Sequence, residues 1–177
     1  MNAMEFTIRK ATPADALSIA IVSAYTWKTA YSGLLPEEML DKRLADLPKM
    51  AENMKQQIID RDNYFVATVD DTVIGFTAFC SPCRNPDYAD SGEIGALYCL
   101  KGYNGYGIGR ALFEAAVKEL VQRGHKTMII DCLRGNPTLG FYEHLGGKVV
   151  AEREMVRIDH SRIEDVLFYD NIENLIR

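Results

Sequence analysis

The chain has 177 residues, 47% of them apolar and 25% charged, with a formal charge of −5 from 20 Lys plus Arg against 25 Asp plus Glu. That length suits a single domain, residues 1–177, with a core of its own, and the composition excludes a disordered, collagenous or fibrous chain. The acidic balance argues against a nucleic-acid backbone binder, which needs a basic face, and is compatible with a cationic substrate.

Phe6–Arg9 alternates apolar and polar residues as a half-buried strand does. No basic region followed by an apolar run precedes it, so no secretory signal is expected and the expected location is cytoplasmic. Thr12-Pro13-Ala14-Asp15 reads as a helix start, and Leu17, Ala20, Ile21, Ala24 and Trp27 follow with helical spacing. Ala16–Trp27 is the longest uncharged apolar stretch. It falls short of the ~20 residues a membrane-spanning helix needs, so no membrane partner is expected. After a break at Tyr31-Ser32-Gly33, short helices are predicted from Pro36 to Leu44 and from Pro48 onward, the second with Met50, Met54 and Ile58 on one stripe.

Tyr64–Val69 and Val73–Phe79 read as two strands around a tight turn at Asp70-Asp71. Ser81–Gly92, with its Pro, Asp, Asn and Ser residues, is a loop. Cys80 and Cys83 have the CxxC spacing, but no second ligand pair accompanies them, so no metal site is expected. With Cys99 and Cys132 they are expected to be thiols that pack as small apolar residues. Glu93–Leu100 is a strand, and a glycine-rich turn over Gly102–Gly109 opens a helix reaching Gln122, with Ile108, Leu112, Ala116 and Leu120 at four-residue spacing. Thr127–Leu133 reads as a buried central strand, Pro137–Leu145 as a short helix, and Lys148–Arg157 and Asp165–Tyr169 as closing strands. The fold class is mixed α/β (α+β), with mostly antiparallel strands and a helical crossover in the middle.

Asn104-Gly105-Tyr106-Gly107-Ile108-Gly109-Arg110 carries the strongest chemical signal. Alternating glycines let the backbone come close to a ligand and aim successive N–H groups one way, and the helix start that follows adds partial positive charge. The site suits a pyrophosphate. A Walker A loop is excluded, because Arg110-Ala111 stands where Lys-Ser/Thr is required. The dinucleotide fingerprint fails at its third glycine, where Leu112 stands, although Asp131 lies near the distance of a ribose-binding acid.

The segment resembles the acetyl-CoA signature of the GCN5-related N-acetyltransferases, Gln/Arg-x-x-Gly-x-Gly/Ala, with Asn104 in place of the first residue. Glu93–Leu100 is similar to the family's fourth strand, Asn136-Pro137 with Phe141–Gly147 to its C-terminal motif, and Ala24–Trp27 with Tyr31–Pro36 to its substrate-side helices. The resemblance covers nearly the whole chain. It implies one domain of the GNAT type, with a centrally splayed sheet flanked by helices, and acetyl transfer from the co-substrate acetyl-CoA to an amine.

By the same resemblance Leu97, Tyr98 and Cys99 would line the pantetheine arm, and Asn104 through Arg110 would take the pyrophosphate, through Gly105, Tyr106, Gly107, Ile108 and Gly109. Asn136 would hydrogen-bond the arm, although its position ahead of Pro137 equally suits a helix cap. A backbone N–H near Leu97 would stabilise the oxyanion. Tyr142 matches the family's general acid, or is a packed aromatic. Glu93 would take the amine proton through water, or is a solvated strand end. His125 and His144 do not fall where the family places a base. Trp27, Tyr31 and Leu34, with Tyr25, would form an acceptor wall, and Glu37, Glu38, Asp87 and Asp90 would hold a cation. The same residues can be read as core aromatics and solvated acids. The arrangement looks like the polyamine and small-amine branch. A protein N-terminus, a lysine side chain, an aminoglycoside, a non-catalytic acyl-CoA sensor and a homodimer all stay open.

Overall fold

The computed structural model describes residues 4–155 and 159–176. The chain forms two compact units, one made of the residues up to Ala78 with Ala96–Ala116, the other of Phe79–Gly95 with the residues from Val117 onward. The hydrogen-bonded strand order is β1-β2-β3-β4-β5-β7-β6, a seven-stranded mixed sheet with helices between its strands, in keeping with the α/β class expected.

The first unit holds β1 (Thr7–Lys10), α1 (Ala16–Tyr31), α2 (Glu37–Ala45), α3 (Leu47–Arg61) and β2 (Tyr64–Val69). It also holds most of β3 (Thr72–Cys80), the second half of β4 (Gly92–Cys99) and the first half of α4 (Ile108–Gln122). β1, β2 and β3 pair antiparallel, with Ile8 opposite Ala67 and Val66 opposite Phe76. Asp70 and Asp71 make the two-residue turn at φ of 46° and 61°, the left-handed geometry a tight hairpin requires.

The main core of this unit packs Ile19, Ala20 and Val22 of α1 and Met54 and Ile58 of α3 against Tyr64, Val66 and Phe76 of the sheet. The α3 stripe is therefore the one expected. The α1 stripe is rotated: Ala20, Ala24 and Trp27 are buried, but Leu17 is 55% exposed and Ile21 38%. α1 is apolar nearly all round, so periodicity leaves its inner face open, and the small alanines take the close packing. A second cluster joins Ile108 and Leu112 of α4 to Ala67 and Ile74.

The second unit contains the start of β4, β5 (Met128–Leu133), α5 (Leu139–His144), β6 (Lys148–Met155), β7 (Asp159–Tyr169) and the end of α4. β4 runs parallel to β5 through Gly92 with Met128 and Glu93 with Ile129, and β5 runs antiparallel to β7, with Ile129 opposite Phe168. A Cβ on Gly92 would lie 2.6 Å from a methyl of Leu120, so this glycine lets α4 close onto the strand. β7 begins six residues before the strand expected at Asp165. The polar Ser161 and Arg162 are exposed there and carry no apolar alternation. The expected end of the preceding strand, Val156-Arg157, lies outside the described residues. Among the described residues no helix is long and apolar enough to cross a membrane.

Candidate active site

In the first unit β4 leads through a short turn at Lys101–Tyr103 to the glycine loop. Gly105 and Gly107 have φ of +86° and +84°, a conformation that side-chain-bearing residues rarely adopt. Among the described residues, no atom beyond each glycine and its chain neighbours lies within 4 Å of where a Cβ would stand on either. The space in front of the loop backbone is therefore open to a ligand. The first helical hydrogen bond of α4 runs from Ala111 N–H to the Gly107 carbonyl at 3.0 Å. The N–H groups of Ile108, Gly109 and Arg110 precede it and have no partner within the helix. These donors and the positive end of a 15-residue helix form an anion cradle. The Ile108 side chain is core, 1% exposed, so its share in the cradle is its backbone. Asn104 and Tyr106 are exposed, and Arg110 stands 3.8 Å from Glu114.

Along β4 the side chains of Leu97 and Cys99 pack on the Ile74–Leu112 cluster, and that of Tyr98 packs on the α1–α3 core. Burial pushes the Cys99 thiol up to about 11. Tyr98 OH accepts a hydrogen bond from Trp27 Nε1–H at 3.0 Å. Trp27 and Tyr31 are buried and meet edge to face with ring centres 4.9 Å apart, Leu34 is half-buried, and Tyr25 is 54% exposed. Of the acids expected to hold a cation, Glu37 is already taken by Lys28 Nζ at 2.6 Å and Ser32 Oγ at 2.7 Å. Glu38, Asp87 and Asp90 are exposed.

In the second unit Glu93 is buried, 1% exposed, and is not a solvated strand end. Its carboxylate accepts from the Arg84 backbone N–H at 2.9 Å and from Arg84 Nε at 3.1 Å, pairs with Arg84 Nη2, and faces the Cys83 thiol at 3.6 Å. Burial alone would raise the pKa of this carboxyl, but Arg84 outweighs it and holds the group below its ordinary value, ionised at neutral pH. A Cβ on Gly95 would stand 2.6 Å from Arg84 Nη2, so this glycine makes room for the guanidinium over the strand. Arg84 escaped the sequence reading because it lies in the 81–92 loop. The available signal was Gly95 itself, since a glycine inside a strand marks a close approach.

Asn136 is not the cap of α5, whose N-cap is Thr138; it makes a turn ahead of the helix, its Oδ1 accepting from Thr138 N–H at 3.0 Å. Tyr142 is buried in α5 against Phe141, with ring centres 5.5 Å apart. Its carbonyl accepts from Tyr169 OH at 2.9 Å and from Gly147 N–H at 3.1 Å. A Cβ on Gly147 would meet the Tyr169 hydroxyl at 2.8 Å, so the Gly146-Gly147 pair lets the end of α5 seat on β7. His144 is exposed, as expected of a residue facing out of a short helix. His125 sits with Nδ1 3.2 Å from the Asp90 carbonyl and Nε2 2.7 Å from Ser81 Oγ.

An open glycine cradle at a helix start, after a strand of a mixed sheet, suits an anionic group such as a pyrophosphate. Residues 26–147 match the acetyltransferase (GNAT) family, and the chain belongs to that family of N-acetyltransferases. It is 29% identical over 147 residues to the uncharacterized N-acetyltransferase YuaI of Bacillus subtilis, covering 82% of each chain. In fold it is similar to the PaiA N-acetyltransferase of Thermoplasma acidophilum in complex with coenzyme A. That match has a TM-score of 0.75 at 23% identity over 94% of this chain and 99% of the other. It is also similar to YncA of Salmonella typhimurium with its cofactor acetyl-CoA, with a TM-score of 0.67 at 18% identity over 96% and 94% of the two chains.

Proposed function

We propose that the protein transfers the acetyl group of acetyl-CoA to the primary amine of a small molecule. The observation that carries this reading is the glycine loop. It has two left-handed glycines with open space before them, followed by the start of a long helix whose first N–H groups have no partner within the helix. A pyrophosphate fits that cradle, and acetyl-CoA supplies the thioester whose carbonyl the amine attacks.

The chain's own groups then divide the work. Ile108, Gly109 and Arg110 hold the pyrophosphate through backbone N–H groups. Leu97, Tyr98 and Cys99 of β4 offer backbone to the pantetheine arm, and a backbone N–H at Leu97 serves the oxyanion. Asn136 offers its Nδ2 donors to the arm, since the contact with Thr138 N–H uses its oxygen. As the amine forms the C–N bond and the C–S bond breaks, Tyr142 gives its phenolic proton to the leaving thiolate. Glu93, held ionised by Arg84, is a weak base, so it polarises a water that takes the ammonium proton and passes it on to bulk solvent, and does not keep that proton itself. Trp27, Tyr31 and Leu34 wall the acceptor side. Because Lys28 has already claimed Glu37, a polyamine loses one of its carboxylates, and a small amine is the better fit.

The test is release of free thiol from acetyl-CoA across monoamines, polyamines, amino acids and a peptide with a free N-terminus. Turnover with small amines is expected. Failure to bind acetyl-CoA, or turnover with the peptide alone, overturns the reading.

A further inference from the structure

Arg43 in α2 is a charged group of the first unit that the chemistry above leaves unused. Its Nη2 donates to Ser23 Oγ at 2.9 Å, its guanidinium carbon stands 4.0 Å from the centre of the Trp27 ring, and its Nε is buried with no hydrogen-bond partner. Among the described residues no carboxylate pairs with it. Two acids of the same helix, Glu37 and Asp41, are both held by Lys28. A largely buried arginine without a counter-ion is unusual, because desolvating a cation is unfavourable unless an anion compensates. The Trp27 face offsets part of that loss by cation–π attraction. Burial still lowers the Arg43 pKa, although the Tyr98, Tyr31 and Tyr64 hydroxyls favour its charge.

The placement of this charge is specific. Trp27 carries Arg43 on its face and donates its indole N–H to Tyr98 OH, and Tyr98 lies between Leu97 and Cys99 in β4. The guanidinium is thus tied through one ring to the strand assigned to the acetyl-CoA arm. Trp27 and Ser23 fix its plane, and Ser23 occupies only one of its five donors. A planar fork held this way matches a carboxylate.

We propose that Arg43 binds an anionic group of the acceptor, so that the favoured substrates are primary amines that also carry a carboxylate, amino acids or similar small zwitterions. This rests on the small-amine reading above and names its substrate class.

The experiment compares two matched series: ω-amino acids from glycine to 6-aminohexanoate, and the n-alkylamines of the same chain lengths. For at least one length the amino acid is expected to exceed its alkylamine in kcat/KM by about tenfold or more, the scale of a charge-assisted hydrogen bond. Arg43→Gln should collapse that ratio, mainly through KM for the amino acid, and Arg43→Lys should restore part of it. KM for acetyl-CoA should stay constant across the variants. A rise there instead would assign the arginine to a phosphate of the co-substrate and overturn the proposal. So would alkylamines equal to or better than amino acids at every length, or a ratio unmoved by Arg43→Gln. If the variants do not fold, butyrate against butanol as inhibitors of wild-type turnover decides: butyrate must compete with the amine and butanol must not. Turnover with no amine of either series, despite acetyl-CoA binding, would count against the small-amine reading itself.

Discussion

At the scale of single residues, the proposed acid and base have opposite settings. Tyr142 has its ring packed on Phe141 and its backbone anchored by Tyr169, so Tyr142→Phe keeps the packing and removes only the hydroxyl. The variant is expected to lose kcat by roughly 10- to 10⁴-fold with little change in KM for acetyl-CoA. A near wild-type kcat would make Tyr142 a core aromatic and nothing more. In the proposed role Glu93 must be ionised, and Arg84 keeps it so by outweighing the effect of burial. Arg84→Gln removes the guanidinium and leaves only the residue-84 backbone N–H and the Cys83 thiol against burial, so the carboxyl pKa must rise. The acid limb of the kcat/KM profile should therefore move to higher pH in Arg84→Gln. An unmoved limb would show that the titrating group is not Glu93.

At the scale of elements, glycines carry the information, and they do two different jobs. Gly92, Gly95 and Gly147 are there because a Cβ would strike Leu120, Arg84 or Tyr169. Gly105 and Gly107 are there for backbone conformation and have open space before them. Gly124, which ends α4, shares the second condition at φ +93° but has no part in the cradle. Gly107→Ala and Gly124→Ala should therefore cost similar stability, about 1–3 kcal/mol each for a forced left-handed residue. Only Gly107→Ala should weaken acetyl-CoA binding, by blocking the cradle. Calorimetric titration with acetyl-CoA and urea unfolding separate the two effects, and equal losses of affinity would overturn the assignment of the loop. α1 shows where element-scale reading stops. Its ends and length follow from local signals, while its buried face was settled by what Ala20 and Ala24 can approach.

At the scale of the whole molecule, the buried charges set how stability varies with pH. Burial pushes Asp131 up to about 6 from an ordinary 3.8, despite its ion pair with Arg153, and Glu164 and Glu93 act in the same sense. The folded state then holds this proton more tightly than the unfolded chain does. That contribution is complete below about pH 4 and is lost as pH rises through 6. Asp15 behaves oppositely. Its hydrogen bonds from Arg9 outweigh burial and hold it down at about 2, so its contribution is present above 3.8 and lost in stronger acid. Asp131→Asn should gain stability relative to the parent by up to about 3 kcal/mol between pH 4 and pH 7. Urea midpoints across that range check this, and parallel curves would contradict it.

By itself the sequence determined the class of strands and helices, the Asp70-Asp71 turn, the buried stripe of α4 and the glycine turn that opens that helix. These are local matters of periodicity, φ preference and helix polarity, carried by residues that are neighbours in the chain. Tertiary structure alone decided that Arg84 locks Glu93 from nine positions away in the chain, that Lys28 consumes Glu37, and that Arg43 is left on Trp27 with no counter-ion among the described residues. Charge pairing and desolvation depend on which side chains the fold brings within a few ångströms, and no spacing along the chain encodes that distance.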